Sequence, residues 1–339
     1  MSPQMPENAT APSAITATVG ESDTGKRIDQ FLAEADTTLS RSRIKTLIEE
    51  GRATRDGERV EKPGEKVRPG ETYVLGLPPP ATAWPEPQAM ALVVLYEDRD
   101  LIVIDKPAGL VVHPAPGNED GTLVNALLAH CGESLTGIGA EKRPGIVHRL
   151  DKETSGVMVA AKTELANTAL TQAFAARDLD RAYLALCWGL PNPAAGEIEG
   201  AIGRDPRERK RMAVRTGGGA GGAKEALTRY RLLAQRDAAV SLLECRLATG
   251  RTHQIRVHLA HRGHPIIGDP VYLRRVPAPA RLLTPRLRGL LLDFPRQALH
   301  AHRLGFAHPR TGEVLSFTTP PPADMLELLS ALEIALPRE

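Results

Sequence analysis

The sequence predicts an α+β protein in two unequal parts, on three observations. Two short amphipathic helical segments and two hairpin-like strand signals lie ahead of residue 77. A proline-rich stretch, Leu77 to Gln88, then interrupts the pattern. From about residue 92, β-branched runs separated by turn residues outnumber helical segments. A chain of 339 residues has room for two or three domains of roughly 100 to 200 residues each.

In chain order, residues 1–22 are rich in Pro, Ser, Thr and Ala, bury too little apolar surface to order themselves, and are expected as a disordered tail. They have neither a basic n-region nor an apolar h-region, so nothing in them directs export. "RIDQFLAEA" and "SRSRIKTLIEEG" read as two helices. The second takes Ser40 or Ser42 as N-cap, lines up Ile44, Leu47 and Ile48 on one face, and stops at Gly51. "RATRDGERV" turns at Asp56-Gly57, the pairing that suits a tight hairpin, and "EKVRPGETYVL" adds another short strand. These segments form a small domain over 23–76. The stretch 77–91 is an extended, semi-rigid linker, and the larger domain runs over 92–335. In it "LVVLYEDRDLIVIDKPAGLVVHP" alternates strand runs with turns, "TLVNALLAH" and "LANTALTQAFAAR" have helical periodicity, and "RTGGGAGGAKE" reads as a flexible surface loop.

Composition excludes several classes. No apolar run approaches the ~20 residues that span a bilayer, so no membrane association is expected. Cys131, Cys187 and Cys245 are odd in number and far apart, against a disulfide framework or a cysteine-rich zinc site, which points to a reducing cytoplasm. Net charge is only +2, and residues 1–80 carry 11 Lys and Arg against 13 Asp and Glu, so a polyanion has to be held by local clusters such as Arg41, Arg43 and Lys45. Alone, such a run is ordinarily a solvated helix face. "GESDTGK" fits the spacing of a phosphate-binding loop, but Arg27 stands where Ser or Thr should ligate magnesium. His253, His258, His261 and His264 lack the H-E-x-x-H pattern and carboxylates at ligand spacing; they read as RNA-facing or capping side chains, with no metal expected.

Chemistry concentrates in three segments. In "IVHRLDKETSGVMVAAK" two apolar runs bracket His148, Arg149, Asp151, Lys152 and Glu153. A carboxylate beside a buried strand must be paired or hydrogen-bonded, and Asp151 is that carboxylate. "LATGRTHQIRVHLAHRGHP" ends a strand at Thr249-Gly250 and then projects Arg251, His253, Gln254, Arg256 and His258, and an arginine of this segment can hold the Asp151 carboxylate bidentately. "RDLDRAYLALCWG" opens a strand after Arg181 and supplies Tyr183, whose ring can lie flat against a planar base. Taken singly, Asp151 is an ordinary turn former, Tyr183 a half-buried strand aromatic and Arg251 a structural ion-pair partner.

Together the segments resemble the pseudouridine synthases of the RluA family. "HRLDKETSG" is similar to its HRLD-K-[DE]-T-S-G signature, "RAYLA" to its second motif, and "GRTHQIRVH" followed by "HPIIGDPVY" to its third, over nearly all of residues 25 to 330. "SRSRIKTLIEEG" resembles the S4 RNA-binding module, and "DLIVIDKPAGLVVHPAPGN", "GIVHRLDKET" and "RQALHAHRL" resemble the RluD type. Departures are Glu153 where Asp is frequent, and Ala53-Thr54 in place of apolar strand residues. The resemblance implies an S4 module followed by a catalytic domain on a mixed, mainly antiparallel sheet with flanking helices and a central cleft. It implies isomerisation of uridine to pseudouridine in 23S rRNA, at the helix 69 stem-loop, by a cytoplasmic monomer without cofactor or metal. The partner would be 23S rRNA or a large-subunit precursor.

By the same resemblance, Asp151 attacks C1′ or removes the 2′ proton, and both routes stay open. Arg149 fills the gap left by the flipped base. Tyr183 stacks on that base or takes the C5 proton, and Arg251 pairs with Asp151. His148, His253, Gln254 and Arg256 are expected to contact RNA, as are Arg41, Arg43 and Lys45. Rival readings are another RNA target within the family, a non-catalytic S4 assembly factor, and an N-glycosidic hydrolase that would release free uracil.

Overall fold

The computed structural model describes residues 14–35, 39, 41–77, 85–115, 117–135, 143–208, 211–215, 222–273 and 275–336. The chain divides into two compact units, with the boundary between residues 83 and 84.

The first unit is a four-stranded sheet with two helices. Its strands β1 (Ala14–Thr18), β2 (Ala53–Arg55), β3 (Glu58–Val60) and β4 (Thr72–Gly76) lie in the order β1-β4-β2-β3, all antiparallel. Helices α1 (Ile28–Ala35) and α2 (Arg41–Glu49) bury Ile28, Phe31, Leu32, Ile44, Leu47 and Ile48 against Ala53, Tyr73 and Leu75. Asp56 and Gly57 take φ of 49° and 89°, the left-handed pair that a two-residue hairpin needs, and Gly51 ends α2 with φ 73°. Ala53 is fully buried in that core, so the small residue is accommodated there. Ser42 falls inside α2 and Ser40 lies outside the described residues. The expected tail is corrected at its end: Ala14–Thr18 pairs residue for residue with Gly76–Thr72, which satisfies the outer edge of β4.

The second unit is built on a nine-stranded mixed sheet. Its members are β5 (Val93–Glu97), β6 (Leu101–Lys106), β7 (Ser155–Ala161), β8 (Asp180–Trp188), β9 (Ala195–Glu199), β12 (Leu227–Arg236), β13 (Val240–Leu247), β14 (Leu299–Ala307) and β15 (Val314–Thr318). A separate two-stranded ribbon is formed by β10 (Ala201–Arg204) and β11 (Met212–Arg215). The main order is β5-β6-β7-β14-β8-β13-β12-β9, with β15 paired to β14. Only the β7–β14 pair is parallel. Helices α3 (Leu123–Cys131), α4 (Glu164–Ala176), α5 (Gln254–His261), α6 (Pro285–Leu292) and α7 (Ala323–Ala331) flank it.

The run Leu101–Ile104 is apolar at every position because both faces are covered: Ile102 and Ile104 join the main core, while Leu101 and Val103 join a second one with Ala166 and Leu170 of α4. Gly156 has φ 120°, and a Cβ there would meet the Ala301 carbonyl oxygen at 2.2 Å, so glycine is what lets β7 lie against β14. The second unit also begins before residue 92. Asn125 of α3 donates to the Glu86 carbonyl at 2.8 Å and Gln88 accepts from the Gly121 amide at 2.8 Å, so the end of the proline-rich stretch is docked on the domain. Most of "RTGGGAGGAKE" lies outside the described residues. Among the described residues no helix is long and apolar enough to cross a membrane.

Candidate active site

A cavity of about 340 Å³ opens where the loop before β7 meets β8, the end of β13 and the start of α5. Its lining includes Arg149, Asp151, Arg181, Tyr183, Arg251 and His253.

The loop Asp151–Thr154 is fixed from behind. Lys106, fully buried at the end of β6, donates from Nζ to the carbonyls of Pro107 (2.7 Å), Leu110 (2.9 Å) and Lys152 (3.1 Å). Burial lowers its pKa to about 8, with the charges of Glu153 and Asp151 opposing. Arg296, forked onto Asp324, donates to the Glu153 carbonyl at 3.1 Å, and Gln297 donates to Thr154 Oγ1 at 3.1 Å. The Thr154 amide closes the turn onto the Asp151 carbonyl at 3.0 Å.

The Asp151 carboxylate is one-fifth exposed and accepts a 3.0 Å hydrogen bond on Oδ2 from Arg256 Nη1. Arg256 forks onto Asp269 at 2.7 and 2.9 Å, and Asp269 Oδ1 also accepts from the Val271 and Tyr272 amides. The arginine is thus oriented by a buried carboxylate that is itself fixed by backbone, with its remaining nitrogen turned to Asp151. On the other side, His253 Nε2 lies 3.9 Å from Asp151 Oδ1. His253 Nδ1 meets the Tyr272 hydroxyl at 3.0 Å, and that hydroxyl also accepts from the Met212 amide, which fixes the ring against Tyr272 with Nε2 toward Asp151. Burial lowers the His253 pKa, keeping the ring neutral near pH 7.

Tyr183 lies in β8 opposite Cys245 of β13 and is 8% exposed, one side of its ring forming cavity wall. Burial raises its pKa, and the nearby Asp151 charge pushes the same way, so the phenol stays protonated. Arg149 is exposed at the rim.

Several expected roles change. Arg256, not Arg251, holds Asp151. Arg251 sits in the turn before α5 and donates to the Glu225 carbonyl at 3.3 Å, whereas Arg256 in the first turn of α5 and His253 at its N-cap both reach Asp151. Arg256 is 4% exposed, lines the cavity and spends three nitrogens on Asp269 and Asp151. Gln254, 3% exposed, spends its oxygen on Thr249 Oγ1 (2.6 Å) and the Arg251 amide (3.0 Å), and its nitrogen on Leu227 and Thr228. It is a clamp between β12 and α5. His148 accepts the Val159 amide on Nε2 at 3.1 Å and stacks on Phe174 at 4.4 Å; burial lowers its pKa to about 3. His258 is internal, bonded to Thr228 Oγ1 and the Gly200 carbonyl, and His264 meets the Trp188 carbonyl. In the first unit Arg41 and Lys45 are half exposed on α2, and the Arg43 side chain lies outside what is described.

The residues that sequence reading leaves without a role are Lys106, Asp269 and Arg181. Lys106 has a signal, a charge closing the apolar run "LIVIDK". Asp269 is inside "HPIIGDPVY", but only the fold brings it to Arg256.

An S4-like unit followed by a sheet enzyme whose cavity centres on one oriented aspartate defines an RNA-modifying enzyme of the pseudouridine synthase class. Residues 100–261 match the RNA pseudouridylate synthase family and residues 26–72 the S4 domain. The chain is 44% identical to ribosomal large subunit pseudouridine synthase D of Zymomonas mobilis subsp. mobilis, over 94% of this chain and 97% of the relative. It is 47% identical to the protein of the same name from Xanthomonas campestris pv. campestris, over 93% and 92%. The solved structure of human RNA pseudouridylate synthase domain containing 4 superposes with a TM-score of 0.58 at 27% identity, covering 73% of this chain and 95% of that one. The chain belongs to the RNA pseudouridylate synthase family.

Proposed function

We propose that this enzyme converts uridine to pseudouridine in 23S rRNA of the large ribosomal subunit or its precursor, with the helix 69 stem-loop as target and no cofactor or metal. Its relatives carry the large-subunit name over nearly their whole length, which supports the ribosomal target. A cytoplasmic monomer completes the reading; the compartment is supported by Cys131, Cys187 and Cys245 standing outside any disulfide, the last two buried in the core.

The observation that carries the mechanism is the Asp269–Arg256–Asp151 chain. In the reaction the C1′–N1 bond breaks, C1′–C5 forms, C5 loses a proton and N1 gains one. Arg256 aims Asp151 through Oδ2, leaving Oδ1 for attack at C1′ or for the 2′ proton; both routes need an oriented carboxylate. Tyr183, protonated by virtue of its burial, packs against the detached uracil and holds it while it turns. Arg149, at the rim, occupies the stack position that the target base vacates, at an unstacking cost of a few kcal/mol. His148 and Gln254 hold the cavity walls, and Arg251 faces the incoming strand.

Asp151→Asn tests this reading. It keeps the side-chain volume and removes the charge, so RNA binding should persist while pseudouridine formation, followed by tritium release from C5, falls to background. Appreciable turnover by this variant sinks the mechanism, and release of free uracil by the wild type would favour glycosidic hydrolysis.

A further inference from the structure

We propose that Arg181 is a phosphate site inside the active cavity, taking a non-bridging oxygen of an RNA phosphate next to the target uridine. The proposal rests on RNA being the substrate, as the preceding section reads it.

Arg181 is the second residue of β8, two before Tyr183, and lines the same cavity as Asp151. It is 9% exposed. The other deeply buried arginines are each forked onto a carboxylate, Arg256 onto Asp269 and Arg296 onto Asp324. Among the described residues Arg181 has no such partner. Asp180, its chain neighbour, points to the opposite face of the strand and is taken by Arg246 at 2.5 Å and Arg303 at 2.9 Å. What Arg181 does have is the face of Phe174, 5.2 Å from its guanidinium carbon, and the Leu247 carbonyl at 3.5 Å, while its Nε is buried without a hydrogen-bond partner.

An arginine stays protonated in a protein, and a buried cation without a counter-charge is costly. The fold nevertheless holds this one in place: its guanidinium lies over Phe174, whose ring is itself stacked with His148. A site that keeps an unneutralised guanidinium in a substrate cavity is matched to an anion. Uracil and ribose are neutral, so the anion that RNA brings is phosphate, and the planar fork suits two of its oxygens. The same charge lies near Tyr183, where it opposes the effect of burial on the phenol. Held there, the phosphate would set how deeply the flipped nucleotide enters between Tyr183 and Asp151.

The test is a double-mutant cycle between enzyme and RNA. The substrate is a fragment carrying the uridine that the wild type modifies; a wild type inactive on the helix 69 stem-loop counts against the target reading alone, and the cycle then uses the RNA found by mapping. Single neutral methylphosphonate linkages are placed in turn at the phosphates flanking the target. Arg181→Gln should lower single-turnover kcat/KM by about 10–100-fold. One methylphosphonate position should cost the wild type a similar factor while leaving the variant unaffected. Arg181→Lys should recover part of the loss, since a point charge replaces the fork. Thermal melting of Arg181→Gln should show no loss of stability, because the residue removed has no ion-pair partner in the free enzyme. Losses that multiply at every linkage, an Arg181→Gln variant as active as wild type, or a marked fall in Tm with no phosphate coupling would each overturn the proposal.

Discussion

At the scale of single residues, the site depends on which arginine meets Asp151. Sequence offers Arg251 and Arg256 in one segment, and side-chain chemistry does not separate them. The fold does, since Arg256 in the first turn of α5 and His253 at its N-cap both reach Asp151, while Arg251 turns to the Glu225 carbonyl. Arg256→Lys keeps a cation but cannot span Asp269 and Asp151 together, so kcat should fall on the order of 10–100-fold, the usual effect of losing an orienting partner. Arg251→Lys should leave kcat nearly unchanged. Single-turnover rates at saturating RNA decide it, and equal losses in the two variants would overturn the assignment. Asp151 and Tyr183 were legible because strand ends and motif spacing place them. The positioning residues behind them were not, because Lys106 reaches Lys152 and Arg296 reaches Glu153 across long stretches of sequence.

Among elements, β7 depends on two neutral histidines. His148 accepts the Val159 amide, and His300 meets Ser155 Oγ at 3.0 Å and the Thr319 carbonyl at 3.1 Å. Burial lowers the pKa of His148 to about 3 and of His300 to about 4. Since the unfolded values are near 6.5, the unfolded chain takes up protons that the folded chain refuses. This stabilisation is fully present above pH 6.5 and is lost as pH falls through 6 and 5 toward the folded values. Stability from urea melts should therefore drop by at least about 1.4 kcal/mol per pH unit between pH 6 and 5. A flat profile over that window would mean these rings are charged in the native state. The hairpin at Asp56-Gly57 was readable because its turn type demands those residues. Helix α5 was not, since "QIRVHLAH" buries polar residues beside apolar ones and shows no clean apolar stripe. Strand β1 was missed because "AITAT" is too short and polar to declare itself without β4 beside it.

Across the whole molecule, each unit has a core of its own. The first gathers Ile28, Phe31, Ile44 and Tyr73; the main core of the second gathers Met158, Leu186, Trp188 and Leu243. A net charge of +2 exerts little long-range pull on RNA, so the RNA binding proposed for the first unit rests on local clusters such as that on α2. The structure separates residues that composition groups together. Arg41 donates to Asp29 at 3.1 Å, and Asp29, buried, is otherwise paired only with Arg27 among the described residues. Lys45 is 3.7 Å from Glu49 in an exposed pair worth a few tenths of a kcal/mol. Arg41→Ala therefore mixes loss of a binding charge with loss of stability, and Lys45→Ala isolates the binding term. Lys45→Ala should lower the slope of log Kd against log salt by about 0.7–0.9 with Tm unchanged, and Ala at 41, 43 and 45 together should lower it further. In both, the single-turnover rate at saturating RNA should match the wild type, because the cavity around Asp151 is built wholly from the second unit. A rate that stays low at saturation would mean that the S4 unit positions the target uridine as well as holding the RNA.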